Sequence, residues 1–374
     1  MISVYDSSRR DEDFTQQLEH ALTSVLRSGT FIGGSFVESF EKNFAEHVGA
    51  KYCVGVGNGL DALRLSLLGL GIGPSDEVIV PAQTFIATWL AVTHVGAIPV
   101  PVDISENSGN IDPNLISEAI TSKTAAIIAV HLHGQPAQLD VLRTASDRHG
   151  VALLEDAAQA HGARFNEQNI GTWGDVSAFS FYPTKNLGAL GDSGCIVTDD
   201  ASLAEKIRVL RSYGATTSDK YTHYVEGWNS RLDPLQAAFL DIFLPHLNAW
   251  NASRRSYASL YLDALEGSHA ITPLIDKGSL ETSAWHHFVI TVEEREKFRE
   301  AMARRSIETD IHYPTPPVLE PAMRRVLPQE SEIRERFPNA IQHARSVVSL
   351  PMHPWLESDA DQVVEALLSA QTQS

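Results

Sequence analysis

Cysteine and positive charge are both scarce in this sequence. Only Cys53 and Cys195 occur in 374 residues, which excludes a disulfide-stapled secreted fold, and their spacing fits no metal site. Lysine and arginine number 29 against 47 aspartates and glutamates, so the net charge is -18. Because nucleic acids and anionic membranes repel such a chain, we expect neither as a partner, and an anionic small molecule would need a local basic site.

Long apolar runs are also missing. The opening residues MISVYDSSRRDEDF contain no apolar stretch of the kind that directs secretion, and no segment has the length of a membrane span. We therefore expect a cytoplasmic protein. With 43% hydrophobic residues, the chain is long enough for a large core and two subdomains.

Short apolar runs alternate with segments of helical periodicity through much of the chain. Near-continuous apolar strands separated by helices predict an α/β fold with a mostly parallel sheet covered on both faces. Ligands of such sheets bind beyond the carboxyl ends of the strands. The runs that predict strands are KYCVGVGN, DEVIVPA, IPVPVDI, TAAIIAVHLHG, VALLEDAAQAHG, VSAFSFY and CIVTDD.

The later part of the chain has a different pattern. The stretch PLQAAFLDIFLPHLNAWNASRRSYASLYLDALEG predicts one long helix with a kink at Pro245. Strands near AWHHFVITVE and TDIHY, with helices near EREKFREAMARR and DADQVVEALLSA, then predict a smaller α+β domain. We predict a large α/β domain over residues 1–250 and a smaller C-terminal domain over residues 251–374.

An acid and a lysine follow two neighbouring predicted strands. Glu155 and Asp156 end the first strand, and Lys185 follows the second in FSFYPTKNLGALGDSG. Each alone is more often a capping or solvated loop residue, but together they can meet in one pocket. A pyridoxal phosphate (PLP) enzyme needs such a pair, because its lysine binds the cofactor aldehyde and its carboxylate keeps the pyridine nitrogen protonated. Burial would lower the lysine pKa and supply free amine.

Glycines and histidines add further candidates. In GVGNGLDAL, Asn58, Gly59 and Leu60 open a predicted helix whose free N–H groups suit a phosphate, whereas the stretch matches neither a dinucleotide nor a nucleoside-triphosphate motif. His131 and His133 lack a third ligand at metal spacing, so we interpret them as structural histidines and expect no metal. His161 is interpreted as a packed or hydrogen-bonded histidine, since Lys185 supplies the base.

Five stretches, in order, resemble motifs of the DegT/StrS family of PLP-dependent sugar aminotransferases, with a further match at IHYPTPP. This resemblance runs from about Phe31 to the long helix. It implies the fold-type-I PLP-dependent transferase fold and a homodimer with shared active sites. The five stretches are VGNGLDALRLSLLGLGIGPSDEVIVPAQTFIATWLAV, HLHGQPAQLD, EDAAQAHGA, FSFYPTKNLGALGDSG and GWNSRLDPLQAAFL.

The resemblance also implies residue roles. Lys185 would bind the cofactor and later move a proton, and Asp156 would pair with the pyridine nitrogen. The further cofactor residues would act on three parts of PLP: Gln159 on the phenolic oxygen, Phe85 on the ring face, and Asn58, Gly59, Leu60, Ser180 and the neighbouring subunit's Asn229 on the phosphate.

The substrate residues are implied in the same way. A segment near the dimer interface would bring Lys220, Tyr221, His223 and Arg231 to a diphosphate or to the carboxylate of glutamate. Tyr182, His312 and Tyr313 would face the sugar ring.

Within the family, VGVGNGLDAL and KYTHYVEGWNSRLD look most like enzymes that aminate carbon 3 of a dTDP-linked 3-keto-6-deoxyhexose. The implied reaction is ping-pong: L-glutamate leaves as 2-oxoglutarate after converting PLP to pyridoxamine phosphate, which then aminates the nucleotide-linked keto sugar. Three alternatives stay open: amination at carbon 4 or another carbon, a sugar dehydratase, against which Lys185 argues, and a PLP-binding regulatory protein.

Overall fold

The computed structural model describes residues 1–9, 12–216, 218–219, 221–268, 270–275, 277–327 and 330–371. Within them the strands form a seven-stranded sheet, a three-stranded sheet and a two-stranded hairpin. The strands are β1 (Tyr52–Val56), β2 (Glu77–Pro81), β3 (Ile98–Val102), β4 (Thr124–Val130), β5 (Ala152–Asp156), β6 (Arg164–Phe165), β7 (Gln168–Asn169), β8 (Val176–Ser180), β9 (Gly194–Thr198), β10 (Ile271–Pro273), β11 (Phe288–Val292) and β12 (Val347–Leu350).

Helices connect these strands and flank the sheets. Their ends carry local signals: the Asn58 side chain caps α3 by accepting from the Asp61 amide at 2.8 Å, and Asp200 caps α7. The helices are α1 (Glu12–Ser28), α2 (Ser35–Val48), α3 (Gly59–Gly69), α4 (Ile86–His94), α5 (Ile116–Ala119), α6 (Leu139–His149), α7 (Ala201–Leu210), α8 (Pro234–Phe243), α9 (Leu247–Ala264), α10 (Arg295–Ala303), α11 (Glu330–Arg336), α12 (Pro338–Ser346) and α13 (Asp359–Gln371).

The large sheet has the order β1-β9-β8-β5-β4-β2-β3. Strands β3, β2, β4, β5 and β8 pair in parallel, whereas β9 runs antiparallel to both β8 and β1. The predicted α/β fold with a mostly parallel sheet is therefore confirmed.

Two hydrophobic cores lie on the two faces of this sheet. Along β4, Ile127 and Ala129 enter a core shared with α2, α6 and α8, whereas Ala126, Ile128 and Val130 enter a core shared with α3, α4 and α7. Because successive strand residues point to opposite faces, a strand covered on both faces must be apolar throughout. This burial accounts for the near-continuous apolar runs.

A smaller antiparallel sheet, β10-β11-β12, organises the C-terminal region. Its core includes residues of α9, α10 and α13, together with Ile2 from the N terminus. The smaller α+β unit is thus confirmed, while the division after residue 250 stays a prediction. Helix α9 crosses that position, and several side chains between residues 318 and 341 pack into a core of the large sheet.

Two segments differ from the sequence-based expectation. The expected strand TDIHY is wrong: Asp310 pairs with Ser349 through an isolated bridge only, and His312 and Tyr313 lie in irregular backbone. The expected long helix is divided into α8 and α9 by a 3-10 turn at Leu244–His246, which contains Pro245. A proline cannot donate its backbone amide, so the helix geometry changes there.

The sheet topology brings the polar candidates to one edge. The carboxyl ends of β1, β2, β4, β5 and β8 point the same way, and the antiparallel β9 begins there, with Gly194 opposite Ser180 and Val56. The loops after these strands carry the candidate site, as expected for a parallel α/β sheet.

Candidate active site

Lys185 lies in the turn that follows β8. Its backbone N–H donates to the Tyr182 carbonyl at 2.8 Å, and its side chain is partly buried. Burial lowers the pKa of the Lys185 amine to about 8, although the nearby Asp156 carboxylate partly opposes this change. Free amine is thus available near neutral pH, as a lysine nucleophile requires.

Asp156 stands at the end of β5, next to β8 in the sheet. Its Oδ2 accepts a hydrogen bond from the Thr88 hydroxyl at 2.8 Å, and Thr88 belongs to α4 on the covering layer. Burial raises the pKa of the Asp156 carboxyl, with Thr88 and Lys185 among the influences that lower it. A positively charged partner would favour the ionised form, so this carboxylate suits a protonated ring nitrogen.

Asn58, Gly59 and Ser180 meet at the start of α3. A Cβ built on Gly59 would lie 2.7 Å from the Ser180 Cβ, so only glycine allows this approach. The Asn58 side chain is engaged in capping α3. Within the described chain, the backbone N–H groups of Gly59 and Leu60 have no acceptor. The helix start and the Ser180 hydroxyl together offer donors to an anion.

Gln159 links the sheet edge to the C-terminal region. Its Oε1 accepts from the His133 backbone N–H at 2.6 Å, which leaves Nε2 to donate to the Tyr313 hydroxyl oxygen at 2.9 Å. The Phe85 ring is 51% exposed and lies 5.3 Å from the Tyr313 ring. The structure therefore joins Phe85, Gln159 and Tyr313, which lie far apart in sequence.

Five histidines form a cluster near Gln159 and Tyr313, which no pattern in the sequence predicts. His286, His287 and His312 stack in a row, with ring centroids 4.0 and 3.8 Å apart, while His133 contacts His287 and stacks on His343. Burial is the largest cause that lowers the pKa of each of the five, and the charge of Lys185 further lowers that of all but His343. The HH pair of His286–His287 stood in the sequence, but no spacing linked it to His133 or His343.

His131 and His161, the other two histidines singled out in the sequence, are both buried. The Ala137 N–H donates to His131 Nδ1, so the proton of that ring is on Nε2 and points to Glu155 at 3.1 Å. His161 packs against the rings of Phe179 and Phe181. Burial lowers the pKa of His161 to about 3. Among the described residues there is no group of three or more His, Cys, Asp or Glu that could hold a metal ion.

The other sugar candidates differ in exposure. The Tyr182 side chain is 52% exposed beside the Lys185 turn. His312 is partly buried, with Nδ1 2.9 Å from the Ser349 hydroxyl and Nε2 3.5 Å from the Asp310 carboxylate. The His312 ring stacks on His287 and meets the Tyr313 ring edge-on, with the centroids 5.4 Å apart.

The candidates between residues 212 and 231 lie on a largely exposed segment. Tyr221 is 83% exposed, His223 Nδ1 is 2.7 Å from the Tyr213 carbonyl, and the Arg231 guanidinium lies over the Tyr213 ring. Asn229 is exposed, and its backbone pairs with that of Ser212 in an isolated antiparallel β-bridge. Lys220 lies outside the described residues. The roles of these side chains stay predictions.

The fold and the lysine–carboxylate pair define an α/β enzyme of the aminotransferase class. The chain belongs to the DegT/DnrJ/EryC1/StrS aminotransferase family, whose model matches residues 12–368. The family resemblance drawn from the five motifs is therefore confirmed. Among the described residues, no helix combines the length and apolar character needed to span a membrane.

Two curated relatives and one solved structure are similar over nearly the whole chain. The chain is 48% identical to the erythromycin biosynthesis sensory transduction protein EryC1 of Saccharopolyspora erythraea, covering 96% of each. It is 46% identical to the dTDP-3-amino-3,4,6-trideoxy-alpha-D-glucose transaminase of Streptomyces venezuelae, covering 95% of this chain and 92% of the relative. The crystal structure of S. venezuelae DesV in complex with a ketimine intermediate matches with a TM-score of 0.92 and 45% identity, covering 96% of this chain and 95% of that one.

Proposed function

We propose that this protein is a PLP-dependent aminotransferase that moves an amino group from L-glutamate to carbon 3 of a dTDP-linked 3-keto-6-deoxyhexose, giving a dTDP-3-amino sugar. The observation that carries the proposal is the pair of Lys185 and Asp156 at the carboxyl edge of the sheet, in a chain of this family. The choice of carbon 3 and of dTDP is supported by the similarity to the dTDP-3-amino-3,4,6-trideoxy-alpha-D-glucose transaminase of S. venezuelae.

The residues at the sheet edge fit PLP on three counts. The close approach of Gly59 to Ser180 leaves amide and hydroxyl donors for a phosphate, Asp156 offers a buried carboxylate, and Lys185 offers an amine of lowered pKa. When bound, PLP supplies an aldehyde for amines and a ring that accepts electrons. Phe85 would cover the ring face.

Each side chain then has a task that follows from its position. Thr88 donates to Asp156 and holds its carboxylate in place, so that Asp156 can accept from a protonated ring nitrogen. Gln159, fixed by the His133 N–H, presents its Nε2 towards an oxygen acceptor. Lys185 Nζ takes a proton from the donor's α-carbon and returns one to the sugar carbon.

Substrate binding would use both copies of a homodimer. The exposed segment with Tyr221, His223 and Arg231 suits a neighbouring subunit's site, where cations would meet the diphosphate or the glutamate carboxylate. Lys220 and Asn229 would join them, and Tyr182, His312 and Tyr313 would contact the sugar. The dimer and the cytoplasmic location stay predictions.

The visible spectrum of the protein with PLP, before and after L-glutamate, tests the first half of the proposal. We expect an absorption band of covalently bound PLP that glutamate converts to that of pyridoxamine phosphate. Borohydride should attach PLP to Lys185 in the native protein and fail to do so in a folded Lys185→Ala variant. Attachment at another residue would overturn the assignment of Lys185.

The second half needs the sugar product. The protein in its pyridoxamine phosphate form is offered dTDP-linked 3-keto and 4-keto 6-deoxyhexoses, and the position of the new amine is read by NMR. Amination at carbon 4 alone would replace the carbon 3 assignment. Because the relative EryC1 is named a sensory transduction protein, a regulatory role is the second candidate. A cofactor band that glutamate never changes would favour that role.

A further inference from the structure

Gln83 lies between β2 and Phe85 and is fully buried. Its Nε2 is 3.2 Å from the Tyr313 carbonyl oxygen and 3.2 Å from His343 Nδ1. An amide nitrogen carries two hydrogens and accepts none, so it donates to both atoms. His343 therefore accepts at Nδ1 and carries its proton at Nε2.

Tyr313 is held at three points by residues that follow strands β2 and β5 of the large sheet. Gln83 binds its carbonyl, Gln159 binds its hydroxyl, and Phe85 packs against its ring. The segment of His312 and Tyr313 has no regular secondary structure. These contacts, and not a strand ladder, thus set where the Tyr313 side chain lies.

The second hydrogen bond of Gln83 closes a ring of contacts. His343 stacks on His133, and the His133 backbone N–H donates to Gln159, which in turn donates to Tyr313. Gln83 thus contacts Tyr313 directly and is linked to its partner Gln159 through two histidines, while the His133 backbone N–H holds Gln159 itself in place.

The Gln83 side chain carries an oxygen that is unpaired among the described residues, as well as its two donated hydrogen bonds. Within the described chain, Gln83 Oε1 and His343 Nε2 are buried without a hydrogen-bond partner. A buried polar atom without a partner costs free energy, whereas an apolar side chain of the same shape would leave the Tyr313 carbonyl and His343 Nδ1 without their donor. The two donated hydrogen bonds are therefore what a glutamine supplies at this position.

We propose that Gln83 is a positioning residue for the keto-sugar half-reaction: its carboxamide holds the Tyr313 segment so that the Tyr313 hydroxyl and ring stand at the site. The inference rests on the proposed function for the nature of the substrate. Its structural part, that Gln83 orders Tyr313, stands without it.

The variant Gln83→Met tests the inference in the full-length holoenzyme, because methionine keeps the shape and removes both donated hydrogens. Gln135→Met is the matched control: Gln135 Nε2 donates to the Ser279 hydroxyl at 2.9 Å, and its Oε1 is also buried without a partner in the described chain. We expect kcat/KM for the keto sugar to fall about tenfold or more in Gln83→Met and less than about threefold in Gln135→Met. The glutamate half-reaction, followed by absorbance, should change less than about threefold in both variants.

A double-mutant cycle separates positioning from general damage. If Gln83 acts through Tyr313, Gln83→Met should cost less than about twofold more in a Tyr313→Ala background, because the supported side chain is already gone. If the loss of kcat/KM in the double variant equals the product of the two single-variant losses, the inference is overturned. Equal losses in both half-reactions, with a lowered melting temperature, would also overturn it and give Gln83 a merely structural role.

Hydrogen exchange gives a readout without turnover. Backbone amides in the peptide covering residues 307–313 should exchange about tenfold faster or more in Gln83→Met than in the native protein, and unchanged in Gln135→Met. Unchanged exchange in Gln83→Met would overturn the inference. If the proposed function is wrong, the native enzyme will turn over none of the keto sugars. The hydrogen-exchange test of Gln83 does not depend on that result.

Discussion

Replacement of Lys185 by methionine should stabilise the protein without its cofactor. Methionine keeps the length and apolar stem of lysine but removes the charge. Burial lowers the pKa of Lys185 from 10.5 to about 8, which means that the folded protein holds the cation less favourably than the unfolded chain does. The charged form of Lys185 therefore lowers the stability of the folded protein.

The size of the effect follows from proton linkage. Since one pKa unit is worth about 1.4 kcal/mol, a pKa lowered from 10.5 to about 8 costs about 3 kcal/mol at pH 7. The unfolded chain binds more protons between these two values, so stability rises with pH there. The cost is fully present below pH 8 and is gone above the unfolded value of 10.5. Lys185→Met should thus gain about 3 kcal/mol at pH 7 and less than half of that at about pH 9.5.

Urea unfolding of the cofactor-free proteins measures this gain, at one protein concentration because subunit association also contributes. Lys42→Met is the control, because Lys42 is exposed and its pairing with Glu46 is long, at 3.9 Å. The control should change stability by less than about 0.5 kcal/mol. A Lys185→Met protein no more stable than the native one at pH 7, or a gain undiminished at about pH 9.5, would refute the reasoning.

Three further substitutions test the surroundings of the site. Gly59→Ala places a Cβ 2.7 Å from the Ser180 Cβ, so PLP binding measured by titration should weaken by about 1–3 kcal/mol, and unchanged affinity would contradict the phosphate role. Glu155→Gln exchanges one of the two buried carboxylate oxygens for an NH2 group, and each of these oxygens accepts at least two hydrogen bonds. At roughly 1–3 kcal/mol per unmatched donor, urea unfolding should show a loss of about 2–6 kcal/mol. A loss no larger than that of an exposed Glu300→Gln control would contradict this stabilising role of Glu155. Burial raises the pKa of the Glu155 carboxyl, but the hydrogen bonds from His131 and from the backbone N–H groups of Gly174 and Gly171 outweigh it and lower the pKa below its usual value. This contribution is therefore present above the unfolded pKa and is lost as pH falls through the folded value. His161→Leu should keep kcat within about threefold, because the His161 ring is buried and packs against the rings of Phe179 and Phe181; a loss of about a hundredfold or more would show a catalytic role.

The fold could largely be predicted from the sequence because its sequence signals are local. Apolar runs that must be covered on both faces, helix caps such as Asn58 and Asp200, and the acid and lysine after β5 and β8 all stand within a few residues of what they determine. Parallel pairing then brings the strand ends to one edge for any sequence with this alternation. The position of the Lys185–Asp156 pair was therefore predictable.

Contacts between distant segments were not predictable in this way. The expected strand TDIHY failed because Tyr313 is placed by Gln83, Gln159 and Phe85, three side chains from two other loops, and not by its own alternation of polar and apolar residues. The histidine cluster likewise joins residues from four separate stretches. Sequence alone determined the sheet, its covering helices and the position of the Lys185–Asp156 pair, because these depend on local periodicity and strand direction. Only the tertiary structure decided which polar side chains support that pair, because their hydrogen bonds form between segments that are distant in sequence and meet only in the folded protein.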